Sequence, residues 1–282
     1  MISKEELIPF IEIAFAEDIK DGDHSSLACI PKSKTGKAQL LIKDNGIIAG
    51  VKLAEWIFEW VNPNIKMTTL IKDGQKVKKG EIAFIVEGDA ISILSAERII
   101  LNLMQRMSAI ATKTSKYVNL IANSKTKILD TRKTTPGIRN IEKWAVRIGG
   151  GENHRFGLYD MIMIKDNHID FCGGISKAIK KTQEYLKKNK LNLKIEIEAR
   201  NIKEVQEIIS VGGINRIMLD NFTISETKIA IKMINGIYET ESSGGITEKT
   251  ISSYSECGVD YISVGAITSS IQNMDLSFKA FS

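Results

Sequence analysis

Leu193-Lys194-Ile195-Glu196-Ile197-Glu198, Arg216-Ile217-Met218-Leu219-Asp220, Ile237-Tyr238-Glu239-Thr240-Glu241-Ser242 and Tyr261-Ile262-Ser263-Val264-Gly265 are short β-rich runs that each close on a polar residue or a glycine. The ends of these runs at Glu198, Asp220, Ser243 and Gly265 lie 22, 23 and 22 residues apart, close to the length of one compact strand–helix unit. Helical patterns fill the intervals, and alternating strand and helix predicts a parallel sheet with helices outside it. The tight, regular repeat favours a closed barrel over an open sheet. Two earlier runs, Lys127-Ile128-Leu129-Asp130 and Tyr159 to Lys165, extend the series upstream. In such a barrel the loops after the strands converge on one axis, so chemistry belongs at the C-terminal strand ends. Asp130, Lys165, Glu198, Asp220, Ser243 and Gly265 are therefore the candidates.

Upstream the pattern is different. Residues 3–17 carry apolar positions at helical spacing (Leu7, Phe10, Ile11, Ala14, Phe15), and Ser3 can cap that helix. Strand-like stretches follow near 37–42 and 46–49. Glycines at turn positions around alternating apolar residues over 72–88 resemble the hairpins of biotin and lipoyl carriers, but no lysine stands at the turn a carrier would modify. A long helix is predicted from Ser95, with Ile99, Leu103, Met107 and Ile110 as its buried stripe and Arg98, Asn102 and Arg106 on an adjacent face. The expected organisation is a mixed α/β sandwich over 1–110, with the tail 270–282 packing back on it, and an α/β barrel over 111–269.

The 282 residues, 43% of them hydrophobic, suffice for a substantial core. Three cysteines, odd in number and without a CxxC pair, predict buried free thiols in a reducing compartment. The N-terminus is acidic before it is apolar, unlike a signal peptide, and no apolar run approaches the roughly 20 residues of a membrane span. A soluble, cytoplasmic protein is expected. The net charge of +5 comes largely from lysines such as Lys187-Lys188-Asn189-Lys190, without interleaved aromatics. That pattern fits a solvated helix end and not a nucleic-acid stripe.

The loops concentrate a different kind of charge. In Asp130-Thr131-Arg132-Lys133-Thr134-Thr135-Pro136-Gly137, adjacent cations flanked by hydroxyls suit multidentate contact with carboxylate or phosphate oxygens, the plainer alternative being an exposed basic turn. Gly149-Gly150-Gly151-Glu152-Asn153-His154-Arg155 sets glycines, whose N–H groups can approach an anion closely, before a His-Arg pair. Lys165-Asp166-Asn167-His168 closes the next strand; His168 is as compatible with packing as with function. Glu198 and Asp220 can orient a ribose hydroxyl, ligate Mg²⁺, or stabilise positive charge developing at a sugar carbon, with a structural salt bridge as the alternative for each. Glu196 shares the Glu198 face by alternation. Glu241-Ser242-Ser243-Gly244-Gly245 and Val264-Gly265-Ala266 are small, glycine-rich loops of the kind that hold phosphate in this architecture.

Glu97-Arg98, Leu101-Asn102, Asp130-Thr-Arg-Lys-Thr-Thr-Pro-Gly137, Gly149-Gly-Gly151, Asn153-His-Arg155, Gly157-Leu-Tyr-Asp160, Ile164-Lys-Asp-Asn-His168, Leu219-Asp-Asn221, Ser242-Ser-Gly-Gly245 and Val264-Gly-Ala266 stand in one order along the chain. In that order they resemble quinolinate phosphoribosyltransferase, of the type II phosphoribosyltransferase family, over nearly the whole length. The resemblance implies that quinolinate and phosphoribosyl pyrophosphate give nicotinate mononucleotide, pyrophosphate and CO₂ with Mg²⁺, in de novo NAD biosynthesis. It also implies a homodimer in which Arg98 reaches into the neighbour's barrel. Carried over by motif, Arg132, His154, Arg155 and Lys165 surround the two quinolinate carboxylates, joined by Arg98 from the neighbour; Thr131 also binds substrate, Lys133 faces the pyrophosphate end, and Glu198 and Asp220 face ribose and metal. Lys133, Glu198 and Asp220 are the implied catalytic groups. Ser243, Gly244, Gly245, Val264, Gly265 and Ala266 are implied to hold the 5′-phosphate.

Two positions depart from the family pattern. Ile267-Thr268-Ser269-Ser270 replaces the usual Leu-Thr-His-Ser, and Ala109 stands where glycine is common. Rival readings are the transferase-like protein of molybdenum uptake systems, a barrel aldolase with Lys165 as Schiff-base nucleophile, and a nucleic-acid binder. The joint presence of Arg98, Arg132, Arg155 and Lys165 opposes the first.

Overall fold

Ser3 opens helix α1 (Lys4–Asp18) with a capping box: its hydroxyl accepts the Glu6 N–H and the Glu6 carboxylate accepts the Ser3 N–H. Leu7, Ile11 and Phe15 form the buried stripe of α1. In the computed structural model, which describes residues 2–281, the chain continues through α2 (His24–Cys29), β1 (Thr35–Ile42), β2 (Gly46–Ile47), α3 (Val51–Val61), β3 (Lys66–Thr69), β4 (Lys76–Val77), β5 (Ile82–Asp89) and α4 (Ala90–Leu120). Helix α4 begins ahead of the predicted Ser95 because Asp89 accepts the Ser92 N–H at 2.8 Å, an N-terminal cap the apolar periodicity did not register. Ile99, Leu103, Met107 and Ile110 are all buried, as the stripe predicts.

Next come β6 (Lys127–Leu129), α5 (Arg139–Ile148), β7 (Ile162–Ile164), α6 (Asp166–Cys172), α7 (Ile175–Asn189), β8 (Ile195–Ala199), α8 (Ile202–Val211), β9 (Arg216–Asp220), α9 (Ile224–Ile234), β10 (Glu239–Ser243), α10 (Ile251–Ser255), β11 (Tyr261–Ser263), α11 (Ala266–Ser269) and β12 (Leu276–Phe281). These elements fall into two units. Met1–Ser115, Thr134–Gly150 and Ala266–Ser282 make the first; Lys116–Lys133 and Gly151–Gly265 make the second.

The first unit carries an antiparallel sheet in the order β12-β1-β5-β3, with a β2–β4 pair beside it. Strand β12 pairs along β1 from Leu276–Ile42 to Phe281–Lys37. Arg106 on α4 donates from Nε to the buried Glu142 at 2.6 Å and from Nη2 to Thr135 Oγ1 at 2.8 Å, so it pins the 134–150 segment.

The second unit is a parallel sheet in the order β6-β11-β10-β9-β8-β7. Among the described residues β6 and β7 do not pair, so strand pairing does not close the ring that the repeat predicts. The open edge of β6 is instead taken by the segment at Glu152, whose N–H donates to Ile128 at 2.8 Å and whose carbonyl accepts from Asp130 at 3.2 Å. Ile195, Ile197, Ala199, Ile217 and Leu219 face outward into one apolar core with Ile179, Val205, Ile208, Ala230 and Ile234 of the surrounding helices. Each buried isoleucine, leucine or valine among them contributes roughly 1.5–3 kcal/mol. Strand alternation turns the residues between them inward. Register sets Glu196 beside Arg216 and Arg216 beside Glu239, Glu198 beside Met218 and Met218 beside Glu241, and Asp220 beside Ser243.

No helix among the described residues is long and apolar enough to cross a membrane. The cysteines are free, but only Cys257 is buried; Cys172 is half-buried and Cys29 exposed, against the expectation of three buried thiols.

Candidate active site

Asp130, fully buried at the end of β6, accepts the His154 N–H at 2.8 Å and the Asn153 amide at 2.6 Å. One carboxylate thereby fixes the backbone of the Asn-His-Arg segment. Arg155 is buried, and its guanidinium donates to the Met161 carbonyl at 3.2 Å. Asp160 closes the loop between them by accepting the N–H groups of Phe156 at 2.7 Å and Gly157 at 2.9 Å. Burial and the nearby Arg132 guanidinium pull Arg155 below its ordinary pKa, which places Arg132 and Arg155 in one electrostatic neighbourhood.

Lys165, at the end of β7, forms an ion pair with Glu198 of β8. The second Glu198 oxygen accepts the Asp166 N–H at 3.2 Å. His168 Nδ1 accepts the Lys165 N–H at 2.9 Å, so His168 caps the turn into α6. Asp220, on the neighbouring strand, is pushed up by burial and by the charge of Glu198, partly opposed by Asn221 and Lys165. Lys133, whose N–H donates to Thr131 Oγ1 at 3.0 Å, lays its stem across Gly265: a Cβ there would meet Lys133 Cδ at 2.9 Å. Gly244 and Gly245, at φ 89° and 62°, adopt a left-handed backbone that favours glycine. Arg98 is exposed on α4, and Ala266 begins α11.

Beneath this rim lies a buried charge cluster. His154 Nε2 is 3.0 Å from Glu196 and 3.4 Å from Glu241, within ion-pair range of both. Arg216 contacts Glu241 at 3.0 Å and Glu239 at 3.1 Å, and its guanidinium stacks 4.0 Å from the Tyr261 ring centroid. Burial lowers the His154 pKa, but the two carboxylates more than offset it, raising the group to about 9. The Arg155 N–H meanwhile donates to His154 Nδ1 at 2.6 Å, which opposes a proton there. Burial and Glu241 push Glu196 upward, so His154 and Glu196 share the extra proton as a pair.

Two carboxylate groupings have the donors for a cation: Glu198 with Asp220, and His154 with Glu196 and Glu241. In the second, Arg216 already supplies the positive charge.

Two family models match the chain. The quinolinate phosphoribosyl transferase N-terminal domain matches residues 23–108 and the C-terminal domain of the same family matches 110–279. The chain belongs to the quinolinate phosphoribosyl transferase family. A quinolinate phosphoribosyltransferase [decarboxylating] 1b of Nicotiana tabacum is 46% identical over 95% of this chain and 81% of its own. A probable nicotinate-nucleotide pyrophosphorylase [carboxylating] of Bacillus subtilis is 41% identical over 93% of this chain and 89% of its own. Among solved structures, NadC from Streptococcus pyogenes superposes with a TM-score of 0.93 at 34% identity, covering 99% of this chain and 97% of that one. The nicotinate-nucleotide pyrophosphorylase from Francisella tularensis gives 0.90 at 37%, covering 100% and 98%.

Within this quinolinate phosphoribosyl transferase fold, Arg216, Glu239 and Glu241 received no role from the sequence, although they occupy the inward strand positions of Asp220 and Ser243. Asn153 and Asn221 stood in the family motifs without a task.

Proposed function

We propose that the chain transfers phosphoribosyl from phosphoribosyl pyrophosphate to quinolinate with decarboxylation, giving nicotinate mononucleotide, pyrophosphate and CO₂. The observation that carries this reading is the buried Arg155, whose charge is disfavoured by burial and by repulsion from Arg132, in the unit that also holds the Lys165–Glu198 pair. A dianion relieves that repulsion; a neutral substrate gains nothing from it. Arg132, Arg155, Lys165 and His154, with Thr131, hold the two carboxylates and aim the pyridine nitrogen at the sugar carbon. As the bond to pyrophosphate breaks, Glu198 and Asp220 favour the cationic sugar, and Lys133 meets the departing negative charge. The nitrogen–carbon bond leaves the ring nitrogen positive; when the neighbouring C2–carboxylate bond breaks, the electron pair stays on C2, where that positive nitrogen stabilises it until a proton from water takes the place of CO₂. The protein's part is position and charge.

Mg²⁺ suits the Glu198–Asp220 pair, because burial and the charge of Glu198 both disfavour the Asp220 carboxylate, and a divalent cation offsets both. When bound it would neutralise charge on the pyrophosphate. The small loops at Ser243, Gly244, Gly245 and Val264, Gly265, Ala266 take the 5′-phosphate. The reading includes a homodimer that lends Arg98 to the neighbouring subunit, and a cytoplasmic location.

The direct test is to incubate the purified protein with quinolinate, phosphoribosyl pyrophosphate and Mg²⁺ and to measure nicotinate mononucleotide. Folded protein that makes none removes the proposal. Arg98→Ala and Lys165→Ala subunits are each expected to be inactive and to recover activity when mixed. Mixed dimers that stay inactive remove the shared site.

A further inference from the structure

Asn221 stands directly after Asp220 in a left-handed backbone conformation, φ 58°, which asparagine tolerates better than most residues. That turn sends its N–H to the Ser243 carbonyl at 2.8 Å. Its side-chain amide donates to Asp220 Oδ2, also at 2.8 Å. From the other side, Gly244 comes so close that a Cβ there would lie 2.9 Å from the Asn221 nitrogen and 2.6 Å from its Cγ. The ends of β9 and β10 are thus joined beyond their last ladder pair, Asp220 with Ser243. The next two residues are held as well: the Tyr254 hydroxyl donates to the Phe222 carbonyl at 2.8 Å, and Thr223 caps α9.

We propose that Asn221 is a positioning residue that fastens Asp220 to the Ser243–Gly245 loop, so that the ribose hydroxyls and the 5′-phosphate of the phosphoribosyl donor meet one preassembled surface. The inference rests on the phosphoribosyl-transfer reading above and adds a residue that touches neither reacting atom. Its chemistry is specific. The neutral amide can donate to the Asp220 carboxylate, whereas an aspartate at 221 would set two negative groups against each other. Glycine at 221 would keep the backbone turn and the bond to Ser243 while releasing Asp220.

The test compares Asn221→Gly and Asn221→Asp with the unsubstituted protein, using ribose 5-phosphate and quinolinate separately as equilibrium probes. Asn221→Gly is expected to weaken ribose 5-phosphate binding by about tenfold, the scale of one orienting hydrogen bond, with Asn221→Asp weaker still. Quinolinate affinity should be unchanged in both, and in turnover KM for phosphoribosyl pyrophosphate should rise while KM for quinolinate does not. Variants that bind ribose 5-phosphate normally, or that lose quinolinate in equal measure, would overturn the proposal. Nicotinate mononucleotide formation by the unsubstituted protein reads the broader function independently. If that fails while ribose 5-phosphate still binds, the two variants still decide the role of Asn221; if ribose 5-phosphate does not bind either, both ideas fall.

Discussion

Along β8, Ile195, Ile197 and Ala199 turn out toward the helices while Glu196 and Glu198 turn into the ring, and all five are buried. The outer face is held by contact area, which tolerates a change of shape at moderate cost. The inner face is held by matched charge: Glu196 and Glu241 have no exposure, and Arg216 and His154 answer them. Apolar side chains need only neighbours, whereas buried carboxylates need a particular partner at a particular distance. The same strand is therefore held by contact area on one side and by charge on the other, and substitutions on the two sides should fail in different ways.

The largest effect is expected from Arg216→Met, which takes from the fully buried Glu241 its 3.0 Å cation and leaves it His154 alone, at 3.4 Å. Chemical denaturation should show a loss of about 3–5 kcal/mol. A variant as stable as the parent would mean that the inner face is not held by charge. Lys165→Ala should lower kcat/KM for quinolinate by about a thousandfold, the order seen when a partner in a desolvated charge contact is removed. Its melting temperature should move little, because Lys165 is half-exposed. Equal losses of activity and stability would erase the contrast between rim and core. On the outer face, Ile197→Ala should cost about 2–5 kcal/mol of stability and leave KM for quinolinate intact.

Much of the outer face was legible in advance. Isoleucines alternating with charge at a spacing of 22 to 23 residues announce parallel strands under helices, and the strand ends at Lys165, Glu198 and Asp220 come directly from that architecture. The helical stripe of α4 was equally plain. Arg216 and Glu241 were not, because a charged residue inside a β-rich run reads as solvent-facing until the ring that buries it is known. His154 stood out in the sequence as a candidate, but its carboxylate partners come from strands far along the chain. The unpaired edge between β6 and β7 was invisible for a related reason: the segment at Glu152 that occupies it carries no strand pattern. Asn221 was visible as part of a motif, yet its role depends on a backbone angle and on the close approach of Gly244, neither of which composition or periodicity encodes.

The remaining effect, and the one that separates the two faces most cleanly, is in pH. His154 is raised from 6.5 to about 9 by Glu196 and Glu241 against the opposing effect of burial. Whether the added proton sits on the ring or on Glu196, the folded pair binds one more proton than the unfolded chain between those limits. Stability must then fall as pH rises through that interval, since the unfolded state binds fewer protons there. The contribution is fully present below pH 6.5 and lost above about 9. Denaturation of the parent and of His154→Gln across this range should show their difference shrinking with rising pH by up to about 3 kcal/mol. Ile197→Ala should run parallel to the parent over the same range, because an apolar contact has no proton to lose. A parent curve that stays parallel to His154→Gln would show that the inner cluster carries no extra proton, leaving Arg216 as its only counter-charge.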